Sequence, residues 1–208
     1  MQGRCQFANK GFKMTTKRSD IGVYMLAGGK SSRMGADKGL VNLQGKPMLQ
    51  HGIEVLQSIF SEVTLVSNNP EYLRLGLRII PDLIANKGPM GGIYTGLCDS
   101  PFEMNFFVAC DMPFIRSQAI EYVLAKAKDG EITLAGIGGK SQPLFGIYPK
   151  IFREEIRKNI EHNQLKMMVL IQELKSFTLE LDVLGIDHEK TFSNINTPED
   201  LVRMQTEK

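Results

Sequence analysis

Between Leu26 and Leu40 the chain reads LAGGKSSRMGADKGL, with Lys30, Arg33 and Lys38 against the lone acid Asp37. Gly28 and Gly29 allow the backbone a close approach that a Cβ would forbid, so successive N–H groups can converge on one anion. With the three cations, the chemistry this predicts is a phosphate cradle. Each charge-assisted contact from Arg or Lys to a phosphate oxygen is worth roughly 1.5–3 kcal/mol. Two common phosphate loops do not fit. A P-loop needs Gly-Lys-Ser/Thr after a four-residue gap, and here Gly35 is followed by Ala36 and Asp37. The dinucleotide fingerprint Gly-x-Gly-x-x-Gly is absent as well. Further along, Asp111 follows the apolar run NFFVAC (105–110), and Asp82 follows a shorter one. A carboxylate at the carboxyl end of a buried parallel strand sits where open α/β sheets bind ligands.

The elements that position these groups follow from periodicity. Ile21 to Leu26, Val63 to Ser67, Leu77 to Ile80, Asn105 to Cys110, Ile132 to Ile137, Leu144 to Tyr148 and Phe177 to Leu181 are predicted strands, with a short terminal one at Phe192 to Ile195. Helices are predicted from Leu49 to Phe60, after the break at Gly45, Lys46 and Pro47, and from Ile93 to Cys98, after a glycine-rich turn at 87–92. Further helices are predicted at 117–128, 150–161 and 165–174. Thr197-Pro198-Glu199-Asp200 reads as an N-cap, a proline at the first helical position and acids in the first turn. The alternation of strands and helices predicts a three-layer α/β domain with a mostly parallel sheet.

Bulk properties narrow the function classes. A chain of 208 residues is expected to form one domain, spanning 21–208, behind a disordered basic tail at 1–20. Twenty-five basic and 23 acidic residues leave a net charge of +2, which predicts no nucleic-acid partner and no membrane surface. Cys5, Cys98 and Cys110 show neither a disulfide framework nor zinc-ligand spacing, so a reducing, cytoplasmic setting is expected. His51, His162 and His188 have no nucleophile beside them and are read as ordinary helix or loop residues.

The loop resembles the signature L-x-G-G-x-S-x-R-[MF]-G-x-x-K of nucleotidyltransferases that activate sugars, polyols and cofactors. Within that superfamily the chain is most similar to the molybdenum cofactor guanylyltransferases, the MobA family. The similarity continues through Asn68, Pro81-Asp82, Gly88 to Gly92, Cys110 to Pro113, Pro143-Leu144 and Asn194-Ile195-Asn196-Thr197-Pro198-Glu199-Asp200-Leu201. It implies a Rossmann-like nucleotidyltransferase fold. The implied reaction transfers GMP from GTP to the terminal phosphate of Mo-molybdopterin and releases pyrophosphate.

By the same resemblance Leu26, Ala27, Gly28 and Gly29 meet the nucleotide, Lys38 the triphosphate, Asp82 the guanosine, and Asp111 both nucleotide and Mg2+. The family's base-contacting asparagine falls at Asn68, or one or two positions earlier, where this chain has Val66 and Ser67. Arg33 suits a phosphate or pyrophosphate clamp, because a guanidinium binds such groups bidentately. Asn194 and Asn196 are candidate acceptor contacts. Gly138, Gly139 and Lys140 either line the acceptor site or form a simple turn. Met90-Gly91 departs from the Leu-Ala usual in the family. A phosphate monoester has a second pKa near 6, so the nucleophile is already ionised at neutral pH and no general base is demanded. The alternatives are a nucleotidyltransferase using CTP or another phosphate acceptor, and a non-catalytic nucleotide-binding regulatory module. Transient docking of cofactor-supplying or molybdoenzyme-delivery proteins is a further expectation from the family.

Overall fold

A computed structural model describes residues 17–28, 37–195 and 197–206. In chain order the regular elements are β1 (Gly22–Leu26), β2 (Asn42–Leu43), β3 (Lys46–Pro47), α1 (Met48–Ile59), β4 (Thr64–Val66), β5 (Arg78–Ile80), α2 (Gly88–Asp99) and β6 (Met104–Ala109). There follow α3 (Ser117–Lys126), β7 (Ile132–Ile137), β8 (Lys140–Pro149), α4 (Arg153–Glu161), α5 (Met167–Glu173), β9 (Ser176–Glu180), α6 (His188–Thr191) and α7 (Pro198–Thr206). Seven strands form one sheet in the order β5-β4-β1-β6-β8-β7-β9. All pairings are parallel except the two made by β8, which runs against β6 and β7.

Side chains that alternate along a strand supply both faces of this sheet. Val23, Met25, Phe106 and Val108 pack with Ile53 and Leu56 of α1 and Ile120 and Val123 of α3. Tyr24, Leu26 and Phe107 point the other way, to Ile93 and Leu97 of α2, Ile156 and Ile160 of α4, and Leu170 of α5. The result is three layers, as the alternation of elements predicts. It leaves the carboxyl ends of β1, β4, β5 and β6 aligned along one edge.

The structure corrects several boundaries. The stretch at 87–92, expected as a turn, is largely the first turn of α2, which starts at Gly88 with Pro89 in a position that needs no N–H donor. Two of its glycines, Gly92 and Gly96, serve contact with the sheet. A Cβ on Gly92 would lie 3.0 Å from Leu26 Cδ2, and one on Gly96 would lie 2.6 Å from the Phe107 ring. Likewise β8 starts at Lys140, because Gly138 and Gly139 at φ +53° and +74° form the two-residue turn that twisted hairpin strands favour. The expected break at Gly45 is a small hairpin of the same kind, with Gln44 and Gly45 at φ +52° and +92° between β2 and β3. Residues 192–195 form no strand. Instead Ile195 donates its N–H to the Asp111 carbonyl at 3.2 Å and buries its side chain with Leu43 and Met48. The folded chain also begins ahead of residue 20, since Arg18 pairs with Phe60 and exchanges backbone hydrogen bonds with Ile59 and Ser61. The rest of the expected tail, 1–16, lies outside the described residues.

Candidate active site

The aligned strand ends open into a cleft of about 740 Å³ lined by residues of every segment that follows them, among them Leu26, Ala27, Gly28, Lys38, Asn68, Asp82 and Asp111. Six of the strands point their carboxyl ends to this side, so polar groups carried by separate loops converge there. Ala27 donates its N–H to the Val66 carbonyl at 3.0 Å and Cys110 donates to Leu26 at 3.1 Å. The ladder therefore stays closed up to the point where the loops depart.

At one end of the cleft Lys38 Nζ donates to Asp111 Oδ2 at 2.8 Å, joining two loops 73 residues apart in the chain. The two side chains are 16% and 22% exposed, so the pair is only partly screened by solvent. Asp111 Oδ1 is buried and has no hydrogen-bond partner among the described residues. Ser193-Asn194-Ile195 passes directly below through the Ile195 to Asp111 bond, which leaves Asn194 exposed beside the Asp111 loop. Asn194 is followed by the start of α7, where Thr197 and Asp200 cap one another. Thr197 N donates to Asp200 Oδ2 at 3.0 Å and Asp200 N to Thr197 Oγ1 at 3.2 Å.

At the other end Asn68 and Asp82 form a reciprocal pair. Asn68 Nδ2 donates to Asp82 Oδ2 at 2.8 Å, and Asp82 N donates to Asn68 Oδ1 at 3.0 Å. The Asp82 carboxylate faces Gly28, where an added Cβ would lie 3.9 Å from Oδ2. Burial pushes the Asp82 carboxyl above its ordinary value, against the lowering effect of the Asn68 amide. A half-buried carboxylate beside an amide offers acceptors and donors to the polar edge of a flat ligand, while the distant lysine suits its anionic end.

Sequence reasoning placed these groups individually, and the structure brings Leu26, Ala27, Gly28, Lys38, Asn68, Asp82 and Asp111 to one cleft. Gly29, Lys30, Arg33 and Asn196 lie outside the described residues. Gly138 and Gly139 form the hairpin turn, Lys140 begins β8, and none of the three lines the cleft, although Leu144 farther along β8 does. Asn69 and Asp37 also line the cleft and had no assigned role. Asn69 adjoins a residue that had one, which is the only signal that could have found it. Of the histidines, His51 shares a hydrogen bond of 2.8 Å with the Leu43 carbonyl through Nε2, and His162 shares one of 2.8 Å with the Lys158 carbonyl. Neither lines the cleft.

The residues fit a hard divalent cation of a particular kind. Among the described residues no group of three or more His, Cys, Asp or Glu side chains is placed to hold a metal ion, so they build no all-protein cage. One carboxylate with an unpartnered oxygen, in a cleft able to take phosphates, suits an ion that completes its shell with phosphate oxygens and water.

The chain matches the family described as the MobA-like NTP transferase domain over residues 23–177. It is 37% identical over 182 residues to a protein of Flavobacterium johnsoniae named a probable molybdenum cofactor guanylyltransferase, covering 86% of this chain and 93% of that one. It is 32% identical over 183 residues to the molybdenum cofactor guanylyltransferase of Vibrio parahaemolyticus, covering 86% and 92%. Among solved structures, molybdopterin-guanine dinucleotide biosynthesis protein A of Archaeoglobus fulgidus superposes with a TM-score of 0.75 at 23% identity, over 89% of this chain and 97% of that one, which supports the fold. With the sheet, the cleft and these likenesses together, the chain belongs to the MobA-like NTP transferase family.

Proposed function

We infer that this protein transfers GMP from GTP to the terminal phosphate of Mo-molybdopterin, forming molybdopterin guanine dinucleotide and pyrophosphate. The observation that carries the reading is the pairing of Lys38 with Asp111 at 2.8 Å at one end of a cleft whose other end holds the Asn68–Asp82 pair. A nucleoside triphosphate spans such a cleft with its base at Asp82 and its phosphates at Lys38. Lys38 and Asp111 hold each other in place, and a magnesium triphosphate offers each a new partner of opposite charge.

In this reading Leu26, Ala27 and Gly28 present backbone to the nucleotide, with Gly29 and Arg33 continuing the cradle. Lys38 compensates the charge of the phosphates, and Asp111 would ligate Mg2+. The ion, when bound, neutralises charge on the phosphate oxygens and fixes their orientation. The acceptor phosphate attacks the α-phosphorus, pyrophosphate leaves in line, and no covalent intermediate with the protein is formed. Catalysis then consists of alignment and charge stabilisation by groups already in place. Asn194, exposed beside the Asp111 loop, and Asn196 serve the acceptor side. The unit is a single domain over 21–208, extended at its start by the pairing of Arg18 with Phe60, and works in the cytoplasm; among the described residues no helix is long and apolar enough to cross a membrane. Transient contact with cofactor-supplying or molybdoenzyme-delivery proteins belongs to the same proposal.

The test is label transfer from each of the four triphosphates carrying radioactive α-phosphate, with magnesium and Mo-molybdopterin. The label is expected in the pterin product from GTP alone. Selective transfer from CTP would refute the guanylyl assignment.

A further inference from the structure

Along the cleft wall a second set of bonds, made by Asp37 and Asn69, joins its two ends. Asp37, the residue before Lys38, has both carboxylate oxygens engaged. Oδ1 accepts from Gly39 N at 3.1 Å and from the Tyr72 hydroxyl, and Oδ2 accepts from Asn69 Nδ2 at 2.7 Å. Its negative charge opposes phosphate and its acceptors are occupied, so Asp37 is poorly suited to contact the substrate. Tyr72 is fully buried, and burial together with Asp37 pushes its phenol well above the ordinary range, which keeps it a donor. Gly39 fits tightly against it, since a Cβ there would lie 2.4 Å from the Tyr72 oxygen and 2.6 Å from Leu49 Cδ2.

Asn69 has little freedom either. Its Oδ1 accepts from Glu71 N at 3.0 Å, capping the short 3-10 turn Pro70–Leu75, and its own N–H meets Ser67 Oγ at 3.2 Å. The residue before it is Asn68, the partner of Asp82. A continuous path therefore runs Asp82, Asn68, Asn69, Asp37, Lys38, Asp111. It consists of peptide bonds at 68–69 and 37–38 and hydrogen bonds between the others.

We propose that Asp37, Asn69 and Tyr72 form a positioning node that sets the Lys38 ammonium for the triphosphate and couples that setting to the base at the Asn68–Asp82 end. The inference rests on reading the cleft as a nucleoside triphosphate site. A base that completes the Asn68–Asp82 pair fixes residue 69 and, through Asp37, the start of the turn that carries Lys38. A base that disturbs the pair leaves the lysine misplaced. Discrimination is thereby expressed in the chemical step as well as in binding, through residues that do not touch the base.

A reversed hydrogen bond provides the test. In the full-length D37N variant one oxygen becomes an amide donor, which must face either the Asn69 donor or the Gly39 and Tyr72 donors. In N69D two carboxylates face each other. The double variant D37N/N69D restores one N–H···O bond with its polarity inverted, and leaves acceptor oxygens for Tyr72, Gly39 and Glu71. Tyr72→Phe keeps the ring and removes only the hydroxyl. For each protein kcat and KM are measured with magnesium, acceptor and each of the four triphosphates, alongside equilibrium affinity for the magnesium triphosphates and thermal melting.

Each single change is expected to lower kcat/KM for the preferred triphosphate by about tenfold or more, mostly through kcat, because a small misplacement of an aligned group is costly. Preference over the other three triphosphates should narrow. The double variant should recover most of both losses, a coupling that additive effects would not give. Equal losses for all four triphosphates, or a double variant no better than its worse parent, would show the node to be packing alone. The wild type separates the two readings. A preference for a base other than GTP removes the guanylyl assignment, and the node is then scored on that base. Preserved GTP selectivity in every variant removes the node and leaves the assignment standing. A wild type without affinity for any triphosphate removes both.

Discussion

Asp111 and Asp82 carry carboxylates at opposite ends of one cleft, and their surroundings assign them different work. Asp111 has one oxygen on Lys38 and the other without a partner among the described residues. Asp111→Ala is expected to cut turnover by at least about 10²-fold while the melting transition survives; unchanged turnover would mean the metal ligand lies elsewhere. Asp82 is held above its ordinary value by burial, so the sign of its pH effect is fixed. Between the unfolded value, about 3.9, and the raised folded value, the folded state binds more protons. Stability contributed by the neutral form is therefore present at low pH and lost as pH rises through that window. Asp82→Asn should melt higher than the wild type at pH 7, with the difference closing below about pH 4, and should lose base selectivity. A variant that melted no higher at pH 7 would contradict the desolvation argument.

Residue chemistry was legible where it sits next to a strand end. Lys38, Asp82 and Asp111 each follow an apolar run or a glycine-rich loop, and the structure brings all three to one cleft. The partners of Asp37 were not legible, because Asn69 and Tyr72 lie 32 and 35 residues away and no local spacing signals a bond that only the tertiary fold makes. Cys110 was read simply as an unpaired cysteine. Burial first, and the adjacent Asp111 carboxylate second, push its thiol up to about 12, which makes it a weak nucleophile despite its place in the cleft lining.

At the scale of elements, the edge of the cleft depends on how closely α2 approaches β1 and β6. Gly96 makes that approach possible: a Cβ there would meet Phe107 Cε1 at 2.6 Å and Tyr24 Cγ at 3.0 Å, both in a tightly packed aromatic pair. Gly96→Ala is expected to cost roughly 1–3 kcal/mol in denaturant unfolding, the range for overpacking a filled interior. A cost near zero would mean α2 can retreat freely. The same glycines explain why the start of α2 was misread. Gly-Pro-Met-Gly-Gly carries the composition of a turn, and only the strand lying against it reveals that Gly92 is there for contact with Leu26. The hairpins at Gly45 and at Gly138-Gly139 show the opposite case, in which composition does signal the turn: β2 and β3 are too short to announce themselves, while the strands flanking Gly138-Gly139 were expected and only the polar start of β8 was hidden. Long apolar runs, such as the one ending in Asp111, were found almost to the residue.

For the whole molecule, one sheet edge gathers loops from positions 26 to 195 around a single cleft. The fold was legible from alternation, and family membership from the loop and the Asn-rich ending together. What alternation could not give was the direction of β8, expected as the strand Leu144 to Tyr148 but running against its neighbours β6 and β7. Its direction depends on a two-glycine turn rather than on any helix between strands. The central claim is that this cleft transfers GMP from GTP to a pterin phosphate. The most direct measurement is pyrophosphate release from GTP with magnesium, in the presence and absence of Mo-molybdopterin and with a sugar phosphate as control. Release that requires the pterin is the predicted result. Release with the sugar phosphate instead, or GTP binding with no release under any condition, would contradict it.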